Sequence, residues 1–312
     1  MVRSFRAALS STPEEFAEQY PELVVLNADC ARALMLSEYT KKFPERMICV
    51  GISEADMITT AAGLSTTGMI PIVTGFSMFV TEKPFEQIRQ SIAYPNLNVK
   101  IIATHAGLCV GKDGATHQAL EDIAVIRTLP NFSIFVASDI SETKAALKEM
   151  LLHKGPCYLR LGRDLAEDIF PDGKDFRTGG SDLLIEGSDC SIAACGLMVK
   201  VALDAAELLK KENISVNVIN CYSVKPLDRE RIVSCAEKTG AFVSVEDHSV
   251  VGGLGSAISE VLSQSFPVPM EFVGVNDTFG ESGEQDELYE KYGLTAQNVA
   301  NAVKKAISRK TV

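Results

Sequence analysis

The sequence predicts an α/β protein made of two consecutive layered domains. Three observations lead there. Short continuous apolar runs alternate with helical patterns almost throughout, a βαβ rhythm. A turn-rich, charged stretch near 162–188 interrupts that rhythm before it restarts. And 312 residues suit one large domain or two ordinary ones, because single cores stop growing at roughly 250 to 300 residues.

In chain order, strands are expected at 23–26, 47–50, 69–74, 99–104, 133–136 and 157–161. These runs are apolar without alternation, as in parallel strands buried on both faces. Helical patterns lie at 54–65, 83–93 and 141–152, the last opened by a capping-type Ser141. The second half reads as strand 190–195, helix 198–211, strand 216–221, helix 227–238, strand 241–245, helix 252–262, strand 270–275 and a final helix 295–308. The implied division is a first α/β domain at 1–165, a linker at 166–187 and a second α/β domain at 188–312.

Composition narrows the function. Hydrophobic residues make up 46% and charged residues 23% of the chain, which excludes wholesale disorder. Thirty Lys+Arg against 41 Asp+Glu give a net charge of −11, unfavourable for nucleic-acid binding, which needs basic surface to displace counterions. No run of about 18 apolar residues suggests a membrane span, and the N-terminal stretch is too polar for a signal peptide. The eight cysteines lack any C-x-x-C pair. They read as buried free thiols in a reducing cytoplasm, the expected location.

Several constellations can carry chemistry. In Gly51-Ile52-Ser53-Glu54, Glu54 falls in the first turn of a helix just past a strand's C-terminal edge, where open α/β sheets bind ligands. Local pattern alone favours the plainer reading, that Glu54 only complements the helix dipole. The strand at 99–104 delivers His105 to the same edge, a glycine-rich loop follows, and His117 is placed at the start of the next helix. Imidazoles at such a loop suit proton transfer near neutral pH. Phe76 and Phe79, three apart, could wall a flat ring, but filling the core is the reading their own pattern favours. Arg160 inside an apolar run needs an anionic partner, met equally by a substrate phosphate or a structural Asp. After Glu246-Asp247-His248, the run Gly252-Gly253-Leu254-Gly255 fails the G-x-G-x-x-G fingerprint because position 258 is Ile, so close packing is its expected use.

Taken together, Gly-Ile-Ser-Glu-Ala-Asp-Met (51–57), Thr-His-Ala-Gly-Leu (104–108), Gly-Lys-Asp-Gly-Ala-Thr-His-Gln-Ala-Leu-Glu-Asp (111–122) and Arg127-Thr128-Leu129-Pro130-Asn131 resemble the pyrimidine-binding domain of transketolases. Val245-Glu246-Asp247-His248, Gly252 to Gly255, Gly280-Glu281-Ser282-Gly283 and 288–294 are similar to the transketolase C-terminal domain. The resemblance spans nearly the whole chain. The family's Gly-Asp-Gly motif, which holds the diphosphate and metal, is absent, and the length is about half of a full transketolase.

The resemblance therefore implies the C-terminal subunit of a split transketolase. It would share thiamine diphosphate with a separate N-terminal subunit that carries Gly-Asp-Gly and binds Mg2+ or a similar divalent metal; no metal ligand is assigned to this chain. An α2β2 heterotetramer follows, transferring a two-carbon ketol unit between sugar phosphates, with pentose-phosphate sugars the default. Glu54 matches the glutamate that holds the cofactor's aminopyrimidine in the form that acts as internal base. Phe76 and Phe79 match its ring-stacking positions, with Glu82 where a third aromatic is common. Asp29 matches an aspartate near the cofactor. His105 and His117 match substrate-contacting histidines, with Asp113 on sugar hydroxyls. Arg160 matches a phosphate-binding arginine, with Ser37 a second candidate and Arg3 or Arg6 a third. A 2-oxo acid dehydrogenase beta subunit, a 1-deoxyxylulose-5-phosphate synthase-like enzyme and a degenerate regulatory subunit are the alternatives.

Overall fold

Every apolar run named above forms a strand, within a residue or two at its ends, except that the 241–245 run extends to Ser249. The computed structural model describes residues 2–163 and 165–310; the side chains at 2, 3, 10–14 and 165, Arg3 among them, lie outside that description.

The first part runs β1 (Val2–Ser4), α1 (Phe5–Ala17), β2 (Leu23–Asn27), α2 (Ser37–Lys42), β3 (Met47–Cys49), α3 (Glu54–Thr66), β4 (Ile70–Phe76), α4 (Ser77–Thr81), α5 (Phe85–Gln87), β5 (Lys100–Thr104), α6 (Asp122–Arg127), β6 (Ser133–Val136), α7 (Ile140–Leu152), β7 (Cys157–Arg160) and β8 (Leu165–Glu167). After α5 the chain continues as wider π-type turns over Ile88–Ala93. The second part runs β9 (Asp182–Ile185), β10 (Cys190–Ala194), α8 (Met198–Lys211), β11 (Val216–Asn220), β12 (Ser223–Lys225), α9 (Arg229–Thr239), β13 (Phe242–Ser249), α10 (Leu254–Ser265), β14 (Met270–Val275), α11 (Gln285–Tyr292) and α12 (Ala296–Ser308).

A seven-stranded sheet has the order β12-β6-β7-β5-β4-β2-β3. It is parallel except for β12, which pairs antiparallel with β6. A five-stranded sheet has the order β14-β13-β10-β11-β9, with β9 antiparallel to β11. Both are layered with helices, the arrangement expected when strands carry no polar face.

Three differences from the sequence reading have physical causes. The expected linker 166–187 is partly structured: β8 pairs with β1 and β9 extends the second sheet. β12, late in the chain, returns to the first sheet. The cap of α7 is Asp139, not Ser141: its carboxylate accepts the Glu142 N–H at 2.8 Å, and Ser141 instead donates to Asp172. Between the parts, the Lys174 ammonium is enclosed by the rings of Phe170, Phe176 and Tyr222 and paired with Asp182 at 2.8 Å and Glu142 at 3.2 Å. One apolar core runs unbroken from Leu26, Ile101 and Tyr158 to Ile219, Phe242 and Ile258. Of the eight cysteines, all free, six are buried; Cys49 is exposed and Cys30 half-buried.

Candidate active site

The register of the first sheet assembles the site. Asn27 stands opposite Cys49 and Thr74, and Phe76 opposite Thr104. The loops leaving β3, β2, β4 and β5 therefore emerge side by side at the C-terminal edge. They carry, in that order across the sheet, Glu54, Asp29, Phe76 and His105.

Glu54 is the first residue of α3 and only 5% exposed. No side chain caps this helix, so the carboxylate sits beside unpaired backbone N–H groups. Its Oε2 pairs with Lys83, which is half exposed. Ile52, two positions before Glu54, is 76% exposed. Among the described residues no group of three or more His, Cys, Asp and Glu could hold a metal ion.

Phe76 ends β4 rather than sharing a helical turn with Phe79. The two rings nevertheless lie roughly parallel at 6.2 Å. Phe76 stacks on the His105 imidazole at 3.8 Å between centroids, and Phe79 meets His117 edge-on at 5.1 Å. Both histidines thus face one aromatic pair. His117 does not begin a helix; it lies in the irregular segment before α6, its Nδ1 3.0 Å from the Thr116 hydroxyl. His105 is buried, with its Nδ1 2.7 Å from the Thr104 hydroxyl. Burial first, then the charges of Arg163 and Arg6, push its pKa down to about 3, so the ring carries a single proton at neutral pH.

Asp113 is exposed and lies 3.4 Å from Arg163, which also donates to the Val110 carbonyl. Asp29 is exposed in a left-handed backbone conformation, close enough to act electrostatically, with Glu54, on the Cys30 thiol. Ser37 is an exposed residue opening α2. Arg6 donates to the Ala33 carbonyl and acts electrostatically on His105.

Of the two anionic partners open to Arg160, the structure shows the internal Asp. Its guanidinium is 5% exposed and already engaged. Nε donates to Asp122 at 2.8 Å, and one terminal nitrogen donates to the Asp247 and Ala119 carbonyls at 2.8 and 3.2 Å. The required anion is supplied from within, which the residue's own apolar context could not reveal. Arg163, three positions on and past the strand end, is a partly exposed basic group beside Asp113. Its position beside Gly162, in a turn after a buried strand, was the available signal.

Glu82, directly after α4, is half-buried. Burial first, then Glu121 and Asp122, raise its pKa to about 8, and its Oε1 is buried with no hydrogen-bond partner. A carboxyl raised in this way adds stability at low pH and loses it as pH climbs from its ordinary value near 4.5 to about 8. Glu82→Gln is therefore expected to flatten urea stability across that window and to exceed the parent at pH 8; an unchanged profile would show that Glu82 titrates normally.

With this geometry in place, comparison with known proteins assigns the class. The chain matches the family models described as transketolase, pyrimidine binding domain, over residues 2–168, and transketolase, C-terminal domain, over 179–299. The chain belongs to the transketolase family, which works with thiamine diphosphate, and has the extent of its C-terminal section.

It is 40% identical to a putative transketolase C-terminal section of Methanocaldococcus jannaschii over 97% of this chain and 96% of that one. It is also 40% identical to a 6-deoxy-6-sulfo-D-fructose transketolase subunit of a Clostridium species, over 95% and 92%. Among solved structures it superposes on a split gene transketolase in an inactive beta4 tetramer with TM-score 0.93 and 46% identity, covering 99% of this chain and 100% of that one. No helix among the described residues is long and apolar enough to cross a membrane.

Proposed function

We propose that this chain is the pyrimidine-binding half of a two-subunit transketolase that moves a two-carbon ketol unit between sugar phosphates. A separate N-terminal subunit would supply Gly-Asp-Gly, the diphosphate grip and a divalent metal such as Mg2+, in an α2β2 assembly in the cytoplasm. The observation that carries this is the buried Glu54 carboxylate at the sheet edge beside Phe76 and Phe79. That donor set fits a flat aminopyrimidine: an acid for a ring nitrogen and apolar rings for its faces. When bound, thiamine diphosphate supplies the carbon nucleophile that makes and breaks the carbon–carbon bond.

This chain's residues do the rest. With Oε2 held by Lys83, Glu54 Oε1 is the oxygen that shares a proton with a pyrimidine nitrogen. Phe76 and Phe79 orient the ring. His105, uncharged at neutral pH, holds one proton to exchange with a sugar oxygen, and His117 faces it across the aromatic pair. Asp113 accepts from sugar hydroxyls, and Arg163 rather than Arg160 meets a terminal anion. Asp29 and Ser37 line the approach. A relative named for a sulfonated ketose supports an anion-terminated ketose as the substrate class. Exposed Met35 and Ile52 on the site-side loops supply apolar surface for a partner, and a split-gene relative described as inactive in a beta4 tetramer agrees with inactivity alone.

Calorimetry of the isolated chain with thiamine diphosphate and Mg2+ should show weak or no binding, with ketol transfer appearing on adding the N-terminal subunit. Tight metal-dependent binding by this chain alone would refute the split arrangement.

A further inference from the structure

The side chains of Glu246, Asp247 and His248 take no part in the site just described; only the Asp247 backbone carbonyl does, accepting from Arg160. The run lies on β13, in the second sheet, yet its middle residue reaches the loop that bears both histidines. Asp247 Oδ1 accepts the Leu108 N–H at 2.8 Å. Its Oδ2 accepts the Tyr289 hydroxyl at 2.9 Å and, more loosely, the Cys109 N–H at 3.4 Å. Gly107, at φ 80°, rests directly on this carboxyl: a Cβ there would stand 2.4 Å from the Asp247 carboxyl carbon.

The backbone two residues earlier is strained. His105 has φ 59°, the left-handed region that a non-glycine residue occupies only when its surroundings force it. Three contacts hold the turn. Ala106 N–H reaches the Leu161 carbonyl at 3.4 Å and Gly107 N–H the Ala119 carbonyl at 2.9 Å; the third is Asp247. The rest of the loop is cast against the same domain. Gln118 donates to the Glu281 carbonyl at 2.9 Å, Lys112 pairs with Glu284 at 2.6 Å, and Gly114 abuts the Ser282 hydroxyl.

We propose that Asp247 is a positioning residue for ketol transfer. By fixing the Leu108 amide it holds His105 in the left-handed turn that stacks its imidazole on Phe76, and Tyr289 locks the carboxylate. The consequence for catalysis rests on the function proposed above; the setting of the loop does not. The neighbouring Glu246 does a different job, accepting the N–H groups of Leu254 and Gly255 at 2.7 and 2.8 Å at the start of α10, and so serves as a structural control.

The test uses histidine-labelled full-length chain, whose four imidazoles can be followed by NMR, and the reconstituted enzyme. In Asp247→Ala the His105 pKa should climb by more than about one unit toward its ordinary value near 6.5 as the ring gains water. Its Phe76 ring-current shift should shrink, and kcat should fall about 100-fold. Asp247→Asn, whose amide oxygen can still accept from Leu108, should restore most of all three. Glu246→Ala should leave the His105 signals in place. If a folded Asp247→Ala chain shows parental His105 signals, the proposal is overturned. If that variant does not fold, Tyr289→Phe decides: it should move the same signals in the same direction, and no movement overturns the proposal. Moved signals with unchanged kcat would keep the loop-setting role and overturn the catalytic role given to His105.

Discussion

Glu54→Gln in the reconstituted enzyme is expected to lower kcat by about 100- to 10,000-fold, the range of a lost proton-transfer group. The change is nearly isosteric, and the ion pair it weakens has a half-exposed partner, Lys83. Lys83 keeps its access to water when the pair weakens, so the melting temperature of the chain should stay close to the parent's. Steady-state ketol transfer and a thermal melt on one preparation separate chemistry from folding. Full activity in the Gln variant would remove Glu54 from the mechanism, and the proposed function with it.

Arg160→Met should act in the opposite way, on the fold. It strands the Asp122 carboxylate, fully buried, with Ser77 at 2.9 Å and Tyr158 at 2.5 Å as its remaining hydrogen bonds. Breaking a buried pair from one side costs about 3–5 kcal/mol, measurable by urea unfolding. The double variant with Asp122→Asn should recover part of that loss. Burial pushes the Asp122 carboxyl up, but Arg160, His248 and Tyr158 together pull it below the ordinary carboxylate range. Its contribution is therefore complete above about pH 4 and fades as pH falls further; the Met variant should lose that acid dependence. A phosphate ligand would behave otherwise, raising KM for phosphorylated donors with stability intact.

These two residues mark how far sequence reading reached. Strands such as 23–26 and 47–50 were legible because continuous apolar runs have few other fates in a layered protein. The placement of Glu54 at a helix start and of His105 just past a strand end was legible because strand ends and glycine spacing fix where the chain turns; their roles came from the family resemblance. Arg160 was not, since an arginine in an apolar run announces a need for an anion without saying where it comes from, and Asp122 is 38 residues away in sequence. β12 was missed because three residues between a strand and a helix carry no periodicity. Asp247 was quoted in a motif, but its reach of 139 residues back to Leu108 is a property of how the two sheets pack. Ser141 lost the cap to Asp139 because two eligible side chains stood two positions apart, and pattern alone does not rank them.

The return of β12 to the first sheet, with Lys174 boxed in by rings and carboxylates from both sides, separates where the polypeptide can be nicked from where the molecule can be pulled apart. A protease cutting around residues 168–179 would produce two fragments that still clasp each other, one wearing the other's outermost strand. Neither fragment could be made alone without baring that seam, so the natural unit for engineering or exchange between relatives is the whole 312-residue chain.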